Sequence, residues 1–160
     1  MLAGDVTIMR VFARSPRVPS PQAVADTLRS GRFEVRVESG VYSAGYEGWS
    51  RLHLFYAEGR LPLALGRQSL QGDAPLPGHL RVLMDATASA PDSRGKRRVL
   101  EFLAQAGQVF ELSLPPDFEQ RAGRRLLSAE LIDYLQKETD GLIQVDGEGY
   151  YDRNRIILKL

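Results

Sequence analysis

The chain contains no cysteine, only two histidines, three lysines and one tryptophan in 160 residues. Without cysteine there is no disulfide framework, no thiolate zinc site and no cysteine nucleophile. With His53 and His79 as the whole histidine complement, a multi-histidine metal site would need a second chain. No run approaches the roughly 18 apolar residues that span a bilayer. Asp5 interrupts an already short apolar start, so Met1–Arg10 does not read as a signal peptide. These absences predict a cytoplasmic protein with no membrane partner. Nucleotide motifs are also missing. Ser43–Gly48 is not followed by Gly-Lys-Ser/Thr, and Gly147-Glu148-Gly149 reads as a hairpin turn rather than the start of a helix. There is no Gly-x-Ser-x-Gly elbow. The expectation is therefore no cofactor, no resident metal and no catalytic residue.

Hydrophobic residues make up 43% of the chain and charged residues 26%. Lys plus Arg total 21 against 20 Asp plus Glu, a formal net charge of +1. That balance excludes a disordered, self-repelling chain and suits one folded domain. The basic residues are strongly biased: 18 are arginine. Arginine binds carboxylate and phosphate bidentately, so the bias fits anion recognition, although a GC-rich genome produces it too.

Along the chain, Val6–Arg14 (VTIMRVFAR) predicts a buried strand. Ser20-Pro21 predicts a helix start, with Gly31 closing a helix over Pro21–Ser30. Phe33–Glu38 alternates apolar and charged residues, as a half-buried strand does. Trp49–Tyr56 and Leu61–Leu65 read as a hairpin, and Pro62 suggests an edge for its second strand. After the Pro/Gly/Gln-rich stretch 68–78, His79–Ala86 reads as a strand, Arg97–Ala106 as a helix and Val109–Leu114 as a strand. Arg124–Glu138 is a strongly amphipathic helix. Leu142–Val145, Glu148–Tyr151 and Arg155–Leu160 form a terminal meander turned by Asp146-Gly147 and Asp152-Arg153-Asn154. The predicted fold class is α+β: a single domain over 1–160 with a mixed or antiparallel sheet and about three helices. Two halves, 1–67 and 79–160, are the natural subdivision across the Pro/Gly-rich loop.

Two surfaces stand out. Arg94, Lys96, Arg97 and Arg98 precede one helix, and Arg121, Arg124 and Arg125 precede another. Cations at a helix N-terminus oppose its dipole, so stability alone would place acids there. If strands 79–86, 109–114 and 142–145 ran parallel, both clusters would share the ligand-binding edge of the sheet. Separately, Tyr42, Tyr46 and Trp49 sit in a glycine-rich loop suited to contacting a partner, while the bland alternative is that Trp49 plugs the core. The carboxylates Asp140, Asp146, Glu148 and Asp152 are dense but lack EF-hand spacing, and read as turn residues.

The functional expectation is a bacterial-type accessory or immunity-like domain that acts by binding another protein. The alternative is a binder of an anionic small molecule or nucleic acid at the arginine-rich edge. A third reading is an enzyme built on His79, Asp85, Asp146 and Glu148. The last strand could pair with a second copy along an open edge.

Overall fold

The computed structural model describes residues 6–39, 48–73, 75–115, 118, 121–122 and 125–160. The first strand, β1 (Thr7–Ala13), becomes the middle of the molecule. It pairs on one side with β5 (Gln108–Leu114) and on the other with β8 (Gly141–Val145). Beyond β5 follow β4 (Leu63–Ser69), β3 (Arg51–Phe55) and β2 (Arg36–Ser39). Beyond β8 follow β9 (Gly149–Asp152) and β10 (Arg155–Lys159). The result is an eight-stranded sheet in the order β10-β9-β8-β1-β5-β4-β3-β2, antiparallel at every junction. With its helices this is an α+β fold.

Alternation along the strands separates two cores. On one face Val11 and Ala13, Leu52 and Leu54, Leu63 and Leu65, Phe110 and Leu112, and Ile143 and Val145 meet two helices. These are α1 (Pro21–Ser30), through Val24 and Leu28, and α4 (Leu127–Glu138), through Leu127, Leu131, Ile132 and Leu135. On the other face Phe12, Val109, Leu142, Tyr150 and Leu158 meet α2 (Gly78–Ser89), through Leu80 and Leu83, and α3 (Arg94–Gln105), through Val99. This second helical layer covers only the β5-to-β10 side. Over β2, β3 and β4 the same face carries exposed or half-buried residues: Arg36, Glu38, Arg51, His53, Phe55, Ala64 and Gly66.

The cap of α1 forms as its sequence requires. Ser20 Oγ accepts the Ala23 N–H at 3.0 Å, and Pro21 occupies the first turn. Its exit differs in detail: Gly31 has φ −78°, and the left-handed residue is Arg32 at φ 69°.

Four expectations are corrected. His79–Ala86 is part of α2, not a strand; Leu80, Leu83, Met84 and Thr87 turn inward at helical spacing while Val82 stays exposed. Among the described residues there are thus four helices where about three were expected. The residues before α4 form a two-strand ladder, β6 (Arg121–Ala122) with β7 (Arg125–Leu126), and the helix starts only at Leu127. Its first turn then carries the acid Glu130, which complements the dipole as arginines there would not. Pro62 lies just outside β4, which is an interior strand, so the missing N–H costs no ladder bond. The pairing of β4 with β5 carries one sheet across the stretch 68–78, joining the two suggested halves.

The α3 contact with β10 depends on one glycine. A Cβ at Gly95 would overlap the Ile157 carbonyl oxygen, so only glycine lets the first turn of α3 lie on that strand. Across the same layer, Tyr150 is fully buried and its hydroxyl shares a 2.8 Å hydrogen bond with Thr87 of α2. Burial raises its pKa above the ordinary phenol value, with Thr87 and then Arg10 pulling part of the shift back. A raised folded-state pKa gives stability that is present below the unfolded value and lost as pH climbs past it. Replacing Tyr150 with Phe should cost about 1 kcal/mol near neutrality through the lost hydrogen bond. It should also shrink the loss of stability as the pH rises above about 9. Urea unfolding at a series of pH values checks both; Tyr134 and Tyr151, also shifted upward, leave a residual alkaline slope.

Candidate functional site

The predicted basic clusters do not form one edge. α3 packs on one face of the sheet and α4 on the other. The strands expected to align them are not parallel neighbours: β1 separates β5 from β8, and 79–86 is helical. Within the first cluster, Lys96 Nζ donates to the Ala90 carbonyl at 2.7 Å and pairs with Asp92 at 3.3 Å. Arg98 pairs with Asp152. Only Arg94 and Arg97 extend into solvent with no side-chain partner among the described residues. In the second cluster Arg121 and Arg125 belong to the β6–β7 ladder, and Arg124 lies outside the described residues. Tyr42 and Tyr46 also lie outside them. Trp49 is a core residue, 1% exposed. Its indole N–H donates to the Pro19 carbonyl at 2.7 Å and its ring packs on Phe110 at 5.8 Å. This is the plug reading, favoured because a large ring buries more area than any other side chain.

The acidic residues of the last turns are each engaged separately. Asp140 takes Arg14 at 2.9 Å, Asp146 takes Arg10 at 2.6 Å, and Glu148 accepts from the Tyr151 hydroxyl at 2.6 Å. That last bond is the main cause of the upward shift of the Tyr151 phenol. Among the described residues no group of three or more His, Asp or Glu could hold a metal ion. Of the residues named for catalysis, Asp85 sits on the exposed side of α2, whereas His79 and Asp146 are joined through Glu111 and Arg10.

Two arrangements that sequence reading missed are instead built by the fold. The first is an ion network in the sheet. Arg10, 2% exposed, donates through Nε to Glu111 at 2.7 Å and through Nη1 to Gln144 and Asp146, each at 2.6 Å. His79, from the first turn of α2, binds the same Glu111 carboxylate at 2.9 Å. Register explains the convergence. Arg10 stands opposite Glu111 on β5 and opposite Gln144 on β8, so one transverse row of the sheet supplies all three. The arginine in the middle of VTIMRVFAR was the signal available: a charge on a buried strand demands partners.

The second is an open groove of about 970 Å³ at the β2 end of the sheet. Arg29 and Arg32 reach it from the C-terminal end of α1, Arg36 from β2, and Arg60 from the β3–β4 turn, around Phe33, Phe55 and Tyr56. Four arginines face two glutamates, Glu34 and Glu58. The Arg36 guanidinium stacks on Phe55 at 4.5 Å and lies 3.4 Å from Glu38. These arginines are scattered singly through the sequence, so no local cluster announces them. Among the described residues β2 pairs only with β3, which makes it the terminal strand of the sheet there.

The chain matches no family model, no curated protein and no solved structure. Among the described residues no helix is long and apolar enough to cross a membrane. The geometry alone must therefore carry the functional reading.

The ion network makes a stability prediction. Replacing Arg10 with Met should cost about 3 kcal/mol, because it strips Glu111 and Asp146 of their shared cation at a buried position. Adding Glu111→Gln and Asp146→Asn should recover much of that loss. Chemical unfolding of the single and triple variants checks the sign of the coupling; equal stabilities would show that the network is dispensable.

Proposed function

We propose that the chain is a binding domain that takes up an extended acidic segment of a partner protein along β2 and the adjoining arginine groove. The carrying observation is the groove itself: four arginines and three aromatic rings around the start of a terminal strand. An extended segment laid beside β2 would gain main-chain hydrogen bonds by strand addition, the mode in which side-chain pockets supply specificity. The guanidinium groups would take its carboxylates bidentately, a geometry lysine does not offer. Phe55 and Tyr56 give apolar contact between those charges at small entropy cost. Part of the positive surplus complements the negative end of the α1 dipole, since Arg29 and Arg32 are near its C-terminus. Arg36 and Arg60 reach the same groove from other elements. This keeps the accessory, binding role expected from the sequence. The contact proposed is around β2, rather than in the aromatic loop of Tyr42, Tyr46 and Trp49 or at the arginines before α3 and α4.

The test uses a labelled peptide of alternating Glu and Val. It should bind, weaken with added salt, and lose at least tenfold in affinity to the double variant Arg32→Glu, Arg36→Glu, a loss of about 1.4 kcal/mol or more. A Lys-Val peptide should not bind. The same acidic peptide methylated on alternate backbone nitrogens should lose binding, because strand addition needs those donors. Equal binding of acidic and basic peptides, or indifference to the charge reversals, would sink the reading.

A further inference from the structure

One transverse row of the sheet runs Arg51, Gly66, Glu111, Arg10, Gln144 and Tyr150, and only its Arg51–Gly66 end lies on the uncovered side. Gly66 is the gap in it. The missing side chain leaves a notch of about 230 Å³, floored by Gly66 and Ala64 and walled by Arg51, Glu111, Ser113 and His79. The notch shares no lining residue with the arginine groove. Its two charged walls stand on strands separated by one, roughly 10 Å apart at the backbone given the spacing of neighbouring strands. They do not close on each other. The exposed Arg51 has no side-chain hydrogen bond or ion pair with any described residue.

Glu111 is differently placed. It is 17% exposed; Arg10 Nε donates to one of its oxygens at 2.7 Å and His79 Nε2 lies 3.0 and 2.9 Å from the two, which leaves about one of the roughly four acceptor positions of a carboxylate. The remaining acceptor capacity belongs to a group whose orientation is already fixed from below by Arg10 and from the side by the first turn of α2. The notch thus offers a fork of unused donors on one wall and a fixed, unsaturated acceptor on the other.

We infer that this notch binds a small zwitterion, an amino acid or similar amino-carboxylate, with its carboxylate on Arg51 and its ammonium on Glu111. A simple anion would meet the Glu111 charge and a simple cation the Arg51 charge, whereas a zwitterion satisfies both. Ser113 and the second ring nitrogen of His79 supply further polar contacts at the wall. The volume sets the size class. It exceeds the roughly 150 Å³ that accommodates benzene, so an amino acid with a short side chain fits.

Gly66 makes the test specific. Its φ is not positive, and a Cβ there would have the Glu111 carbonyl oxygen, at 4.0 Å, as its nearest neighbour. Gly66→Val should therefore fold, with a strand-favouring residue that fills the notch. Saturation-transfer NMR and calorimetry would compare glycine, alanine, serine and β-alanine with acetate and methylamine. At least one zwitterion should bind tenfold or more tightly than either half-ligand. Both Gly66→Val and Arg51→Ala should abolish that difference while leaving the thermal melt and the acidic-peptide affinity in place. The inference is overturned if no zwitterion responds at about 10 mM, well above a millimolar Kd. It is equally overturned if acetate or methylamine binds as well, or if folded Gly66→Val binds undiminished.

Discussion

A guanidinium buried at the centre of the sheet is the constraint on which the other features depend. Arg10 sits on the central strand at 2% exposure, where an unpaired charge would be prohibitively costly. Its partners come from β5, from β8 and from the turn after β8. That fixes register on both sides at once. A one-residue slip would turn Arg10 into the apolar layer beneath α1 and α4, and every alternating residue of β1 would follow it. Through Glu111 the same network reaches His79 and seats the first turn of α2 on the sheet.

The position of that helix decides how much of the sheet is covered. α1 and α4 lie over one face and α2 and α3 over the β5-to-β10 side of the other. Antiparallel sheets tolerate a wet face, and β2, β3 and β4 have one. Their residues there are arginine, glutamate, histidine, Phe55 and small side chains in place of the leucines of the opposite face. Both the arginine groove and the Gly66 notch lie at the limits of that uncovered area. The groove is at its outer strand and the notch is against the foot of α2. The surfaces available for binding follow from the placement of the second helical layer.

Much of the fold was legible where local chemistry is unambiguous. Ser20-Pro21 starts α1, the period-two pattern of 51–55 yields β3, and the Asp-Gly turn at 146–147 joins β8 to β9. His79–Ala86 failed because a short apolar run fits either period. Just beyond it in α2, the inward Thr87 is polar and bonds to the Leu83 carbonyl and Tyr150. The functional surfaces were harder to see. Clustered arginines at 94–98 proved partly engaged, Lys96 with a backbone carbonyl and Arg98 with Asp152. The groove collects single arginines from 29, 32, 36 and 60. Charge density along a chain reports neighbours in sequence, and a binding surface needs neighbours in space.

The sequence by itself determined the class of molecule: a folded α+β chain, without thiol chemistry, and with arginine as its dominant cation. Composition and periodicity suffice for that, because burial of an alternating or helical stripe is a local demand. Only the tertiary structure decided that the first strand is central, that the sheet is antiparallel throughout, and that one helical layer stops short. Strand order and helix placement arise from long-range pairing, such as Arg10 with Glu111 across 101 positions of chain. No window of sequence contains both partners.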